Sequence, residues 1–80
     1  MTPDREVDAR GLICPLPVLK ARKVLEGMKP GEVLRVLATD AMAAIDLPHF
    51  CAEAGHTHLG QTVEDGAQVH LIRRGVRSSG

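Results

Sequence analysis

The chain has 80 residues, with ten basic against ten acidic side chains, 44% apolar residues and one aromatic, Phe50, which suits a single small domain with one thin core. The balanced charge argues against a global field that would draw the chain to nucleic acid or to a membrane surface, and the lack of Trp and Tyr removes stacking platforms for single-stranded nucleic acid. Two cysteines are too few for a disulfide-stapled secreted scaffold, no apolar run approaches a membrane span, and the polar N-terminus lacks the apolar stretch of a signal peptide, so a cytoplasmic protein with reduced thiols is expected.

Residues 6–9 alternate Val7 and Ala9 with charged neighbours and predict a short strand. Arg10 and Gly11 end it and lead into Leu12-Ile13-Cys14-Pro15-Leu16-Pro17. Proline is tolerated in a first helical turn, so the spacing predicts a helix over 15–28 that opens at Pro15, with Pro17 in its first turn and Cys14 at or beside the N-cap. Val18, Ala21, Leu25 and Met28 recur at helical spacing, and Lys29-Pro30-Gly31 ends the pattern. Residues 32–39 predict a central strand, apolar on nearly both faces, with Arg35 emerging on the less covered one. Thr39 or Asp40 is expected to cap a second helix over 43–54, whose inward stripe is Ala43, Leu47, Phe50, Cys51 and Ala54. Pro48 inside it predicts a bend or a fresh turn near Leu47, and Gly55 is a good C-cap. Residues 56–64 and 67–74 predict two strands joined by an Asp65-Gly66 hairpin turn. The order β-α-β-α-β-β, with one apolar stripe per helix, gives an α/β two-layer sandwich: a four-stranded mixed sheet with two helices on one face. The domain should run over 6–75, with a disordered tail over 76–80.

Cys14 carries the chemistry. A thiol at a helix start meets unpaired N–H groups and the positive end of the helix dipole, which should lower its pKa and make it nucleophilic near neutral pH. The two prolines remove two donors from that turn. A free cysteine is more often simply buried, and Cys51, inside the apolar stripe of the second helix, fits that description. Cys51, His56 and His58 match no standard zinc spacing, so no metal is expected. His56 beside Gly55 reads as a helix-end cation or cap, and His49 and His70 have no constellation around them in the sequence.

Asp8-Ala9-Arg10-Gly11-Leu12-Ile13-Cys14-Pro15-Leu16-Pro17 resembles the signature of the TusA (SirA-like) sulfur-carrier family, whose hallmark is Cys-Pro-x-Pro at the start of the first helix. The similarity continues through Lys29-Pro30-Gly31-Glu32, Asp40, Asp46-Leu47-Pro48-His49-Phe50-Cys51 and Gly55-His56. The resemblance implies a β-α-β-α-β-β fold and a role for Cys14 in holding sulfane sulfur as a persulfide, without a cofactor, as a co-substrate of its partners. Implied partners are a donor, either a cysteine desulfurase or a rhodanese-like protein, and an acceptor relay protein of the DsrE-like kind. The implied pathways are tRNA thiolation, sulfur oxidation or cofactor synthesis. Leu16, where the tRNA-thiolation type carries an acidic residue, and Ala41, where a proline often follows the aspartate, leave the pathway open.

Pro15, Pro17 and Gly11 are the supporting motif residues, and Asp8 and Arg10 flank the turn as loop-orienting residues or simply as charged strand ends. Arg10, Lys20 and Lys23 are candidates for docking an acidic partner patch, or form a solvated helix face. Two other functions compete: a thiol-redox sensor, which lacks a Cys-x-x-Cys resolving partner, and a non-catalytic regulatory or RNA-binding module, suggested only by the shape of the fold.

Overall fold

A strand β1 (Arg5–Ala9) and a helix α1 (Leu16–Glu26) lead into a parallel partner strand, β2 (Val33–Ala38). A second helix, α2 (Ala43–Ala54), then feeds the hairpin of β3 (Thr57–Glu64) and β4 (Ala67–Arg73). The computed structural model describes residues 2–76, so most of the tail expected over 76–80 lies outside the described residues; Val76 is exposed.

The sheet order is β1-β2-β4-β3, with β2 parallel to β1 and antiparallel to β4. β2 is therefore central, as its apolar run requires. Its Arg35 emerges between Glu6 and Glu64 on the face away from the helices and pairs with both. Asp65 and Gly66 both take positive φ, 51° and 78°, the type I′ pattern whose twist matches the flanking strands.

One core cluster collects Val7 and Ala9 from β1, Ala21 and Leu25 from α1, Leu34, Val36 and Ala38 from β2, Ala43, Leu47 and Cys51 from α2, and Ile72 from β4. Both helices thus cover the same face of the sheet, giving the expected two-layer sandwich. Each of Leu25, Leu34, Leu47 and Ile72 is fully buried, and each contributes roughly 1.5–3 kcal/mol of transfer free energy. The pairs Asp8–Arg10 and Arg22–Glu26 are exposed and screened by solvent, so the apolar layer holds the fold.

Two expectations need correction. α1 opens at Leu16, not Pro15: Pro15 has φ −98° and ψ 15°, and the Leu16 N–H donates to the Ile13 carbonyl at 2.8 Å, closing a turn that holds Cys14 and Pro15 outside the helix. α2 runs through Pro48 without a break, so no fresh turn begins near Leu47. Pro48 removes a single helical N–H, while Leu47 and Cys51 beside it are buried in the core, and that burial offsets the lost bond.

Candidate functional site around Cys14

Ala9 and Ala38, the last residues of the parallel strands β1 and β2, are register partners. The loops that follow them therefore leave the sheet side by side. Residues 10–15 form one loop and residues 39–42 the other, and the second holds the first. The Thr39 hydroxyl accepts the Gly11 N–H at 2.9 Å, and Asp40 Oδ2 accepts the Cys14 N–H at 2.6 Å. Gly11 takes φ +80°, a left-handed conformation that a side chain would strain, and this turns the loop toward Thr39. Asp40 also secures its own loop: Oδ1 accepts the Met42 N–H at 3.3 Å, and its carbonyl accepts the Ala43 N–H at 3.0 Å. Neither Thr39 nor Asp40 is the N-cap of α2, contrary to expectation. That position is Met42, which makes no side-chain cap bond, and the two side-chain oxygens reach across to the cysteine loop.

Cys14 is exposed and free. It lines an open cleft of about 280 Å³ with Pro15, Val18, Asp46, His49, Phe50 and Glu53. Asp46, His49 and Glu53 recur along one side of α2, and His49 lies 3.5 Å from Glu53. Exposed apolar side chains gather at the same end of the molecule: Ile13 and Leu16 flank Cys14, and Met42 and Ile45 lie at the start of α2. A second groove, of about 410 Å³, lies on the open face of the sheet beside Arg35 and Leu71 and holds no thiol.

The Cys14 pKa runs opposite to the expectation from helix position. It is raised, first because the thiol hydrogen-bonds to the Asp46 carboxylate, then through partial desolvation and the negative charges of Asp46 and Asp40. The helix start does little to counter this. Pro15 and Pro17 have no N–H, and the Leu16 N–H is already given to Ile13. Two nearby carboxylates outweigh one depleted helix terminus.

The other sequence candidates fall into place unevenly. Pro17 is fully buried, while Pro15 lines the cleft. Arg10 grips the Asp8 carboxylate through two nitrogens, each at 2.9 Å, and holds the Asp8 pKa far below the usual carboxylate range. Lys20 Nζ donates to the Asp8 carbonyl at 2.9 Å, which ties α1 to the end of β1. These three residues form one cluster beside the cysteine loop. Lys23 stands apart, almost two turns of α1 beyond Leu16, in a shallow surface groove with Leu19, Arg22 and Glu26.

Cys51 is buried, and burial pushes its pKa up to about 11. His56 is not a helix-end cation. Burial and the neighbouring Arg74 lower its pKa, and its Nδ1 accepts the Gly75 N–H at 3.0 Å. Its backbone N–H closes α2 by donating to the Cys51 carbonyl.

Asp46, Thr39 and Asp40 were not foreseen as partners of the cysteine, nor were any neighbours of His49 and His70. Asp46, His49 and Glu53 carried one usable signal, a polar i, i+3, i+7 series beside the buried Leu47–Cys51 stripe. His70 carried none: it is fully buried and lies 2.9 Å from His58 across a strand pair.

The family described as Sulfurtransferase TusA matches residues 5–74. The chain is 42% identical over 69 residues to the sulfur carrier protein TusA of Allochromatium vinosum, covering 86% of this chain and 90% of that protein. It is 39% identical over 69 residues to YrkF of Bacillus subtilis, of whose greater length it spans 37%. The crystal structure of a SirA-like protein from Desulfitobacterium hafniense superposes with a TM-score of 0.79 at 27% identity, covering 89% of this chain and 97% of that one. A mixed four-stranded sheet under two helices, an exposed cysteine before Pro-x-Pro, and a match along nearly the whole domain place this chain in the TusA sulfur-carrier family.

Proposed function

We propose that Cys14 accepts sulfane sulfur from a donor protein and relays it as a persulfide to an acceptor protein. The observation that carries this reading is an exposed free thiol whose backbone is anchored by Asp40, within an apolar rim open to a protein surface. In the loading step, the Cys14 thiolate attacks the outer sulfur of a donor persulfide. An S–S bond forms to Cys14, the donor's S–S bond breaks, and the donor leaves as a thiolate. In the second step an acceptor thiolate attacks the outer sulfur on Cys14, and Cys14 leaves as the thiolate. Neither step needs an external oxidant or a cofactor, and both are thiol–disulfide-type exchanges.

The raised pKa makes reactivity conditional. At rest the thiol is protonated, which slows adventitious oxidation. A partner that brings a positive charge to the cleft offsets Asp46 and Asp40 and frees the thiolate. The Asp8–Arg10–Lys20 cluster and Lys23 provide a separate polar edge for docking. The donor is a cysteine desulfurase or a rhodanese-like protein, the acceptor is of the DsrE-like relay kind, and the setting is the cytoplasm, feeding tRNA thiolation or sulfur oxidation. Among the described residues no helix is long and apolar enough to cross a membrane. A thiol-redox sensor is the weaker reading, because Cys51 is buried and cannot resolve an oxidised Cys14 without local opening.

The test is the intact mass of the protein after incubation with a cysteine desulfurase and cysteine, or with a rhodanese and thiosulfate. Wild type, Cys14→Ser and Cys51→Ser are run side by side. Gain of one reducible sulfur atom that needs Cys14 and not Cys51 supports the carrier reading. No gain from either donor sinks it in favour of a binding module.

A further inference from the structure

Three side chains of the β3–β4 hairpin form a hydrogen-bonded chain that ends at the cysteine loop. His58 Nε2 lies 2.9 Å from His70 Nδ1, His70 Nε2 lies 2.7 Å from Gln68 Oε1, and Gln68 Nε2 donates to the Asp40 carbonyl at 2.8 Å. The same Asp40 takes the Cys14 N–H through Oδ2. Sheet register explains the reach: Gln68 pairs with Ala38, two residues before Asp40, and His70 pairs with Val36.

The direction of every bond follows from the last one. A backbone carbonyl only accepts, so the Gln68 amide nitrogen donates and its Oε1 is left to accept. His70 Nε2 must then carry the ring proton. A neutral His70 has a bare Nδ1, which accepts from a protonated His58 Nε2. All three donors therefore point the same way, toward Asp40.

A fully buried histidine is commonly no more than a satisfied core group, and here no buried side-chain polar atom among the described residues lacks a partner. What sets this chain apart is where it ends. Apolar side chains at these positions would fill the layer without requiring three directional bonds. The hydrogen-bonded chain ends on Asp40, which accepts the Cys14 N–H and acts, as a charge, on its thiol.

We propose that His58, His70 and Gln68 are positioning residues that fix the Asp40 loop and, through it, the Cys14 backbone. Their use in sulfur transfer rests on the carrier role of Cys14; the positioning itself does not.

Hydrogen exchange of the Cys14 amide, followed by NMR with no sulfur donor present, tests this. Gln68→Leu removes both Gln68 bonds. Gln68→Glu still accepts from His70 but cannot donate to Asp40, which provides a second variant if the first folds poorly. Each should speed Cys14 amide exchange by about tenfold, the worth of one lost hydrogen bond, while amides within β2 and β4 keep their protection. Imidazole nitrogen spectra of the wild type should show His70 and His58 both protonated at Nε2. Unchanged Cys14 exchange in a folded variant, acceleration only in step with the β2 and β4 amides, or a His70 protonated at Nδ1 would each overturn the proposal. These outcomes do not depend on whether Cys14 loads sulfur, which the mass measurement decides separately.

Discussion

His70 should make the protein lose stability in mild acid, well before ordinary carboxylates titrate. Burial, aided by the neighbouring His58, lowers its pKa from the usual 6.5 to about 4. Above pH 6.5 the residue is neutral in both the folded and unfolded states, and its contribution is complete. Below 6.5 the unfolded chain takes up a proton that the folded core refuses, so stability falls with pH until about 4, where the folded state also protonates. The slope is about 1.4 kcal/mol per pH unit, so the full loss is roughly 3 kcal/mol, of which roughly 2 is lost by pH 5. Against the 5–15 kcal/mol typical of a whole domain, that loss is large. Urea unfolding should be followed by far-UV circular dichroism at pH 8, 7, 6 and 5, since the chain has no Trp or Tyr to report by fluorescence. His70→Gln is the comparison. It should be less stable than wild type at pH 8 but flatter between pH 7 and 5, by roughly 2 kcal/mol. His56 and His58, both also shifted down by burial, are present in both proteins and cancel in that difference, and the loss from Asp8 falls in a more acid range. Parallel curves for the two proteins would rule out His70 as the source of the acid sensitivity.

Asp46→Asn removes the charge that does most to hold the Cys14 thiol protonated, so the pH profile of Cys14 alkylation should move to lower pH; an unmoved profile would show that Asp46 does not govern the thiol. Asp40→Ala deletes the acceptor for the Cys14 and Met42 N–H groups and should cost roughly 1–2 kcal/mol in denaturant unfolding. It should also slow sulfur transfer per folded molecule, and normal transfer rates would count against the anchoring role. Cys51→Ser buries a hydroxyl in the apolar core and should lower stability by roughly 1–3 kcal/mol, with sulfur uptake per folded molecule equal to wild type. Loss of uptake in folded Cys51→Ser would give that thiol a chemical role.

Element types were legible because each depended on short-range information. The Val18–Ala21–Leu25–Met28 stripe, the apolar run of β2, the Asp65-Gly66 turn and Gly55 at the end of α2 each carry their structure in a few neighbouring residues. Propensity and periodicity act over that range. Where two local signals competed, the fold decided: Pro15 suits a first helical turn, yet the Ile13–Leu16 turn took it, and Pro48 disfavours a helix interior, yet core burial carried α2 through it.

The cysteine itself was also visible in the chain, through Pro15 and Pro17 and the residues that resemble a sulfur carrier. Its environment was not. Asp40 lies 26 residues from Cys14, and Gln68 a further 28 from Asp40. Only the parallel pairing of β1 with β2, and the antiparallel pairing of β2 with β4, brings the three together. The sign of the Cys14 pKa shift followed the same division. Helix position is local and argued for a lowered value, whereas the Asp46 and Asp40 charges arrive through packing and raise it. Charge interactions depend on distance through space, and that distance is set by how the strands pair.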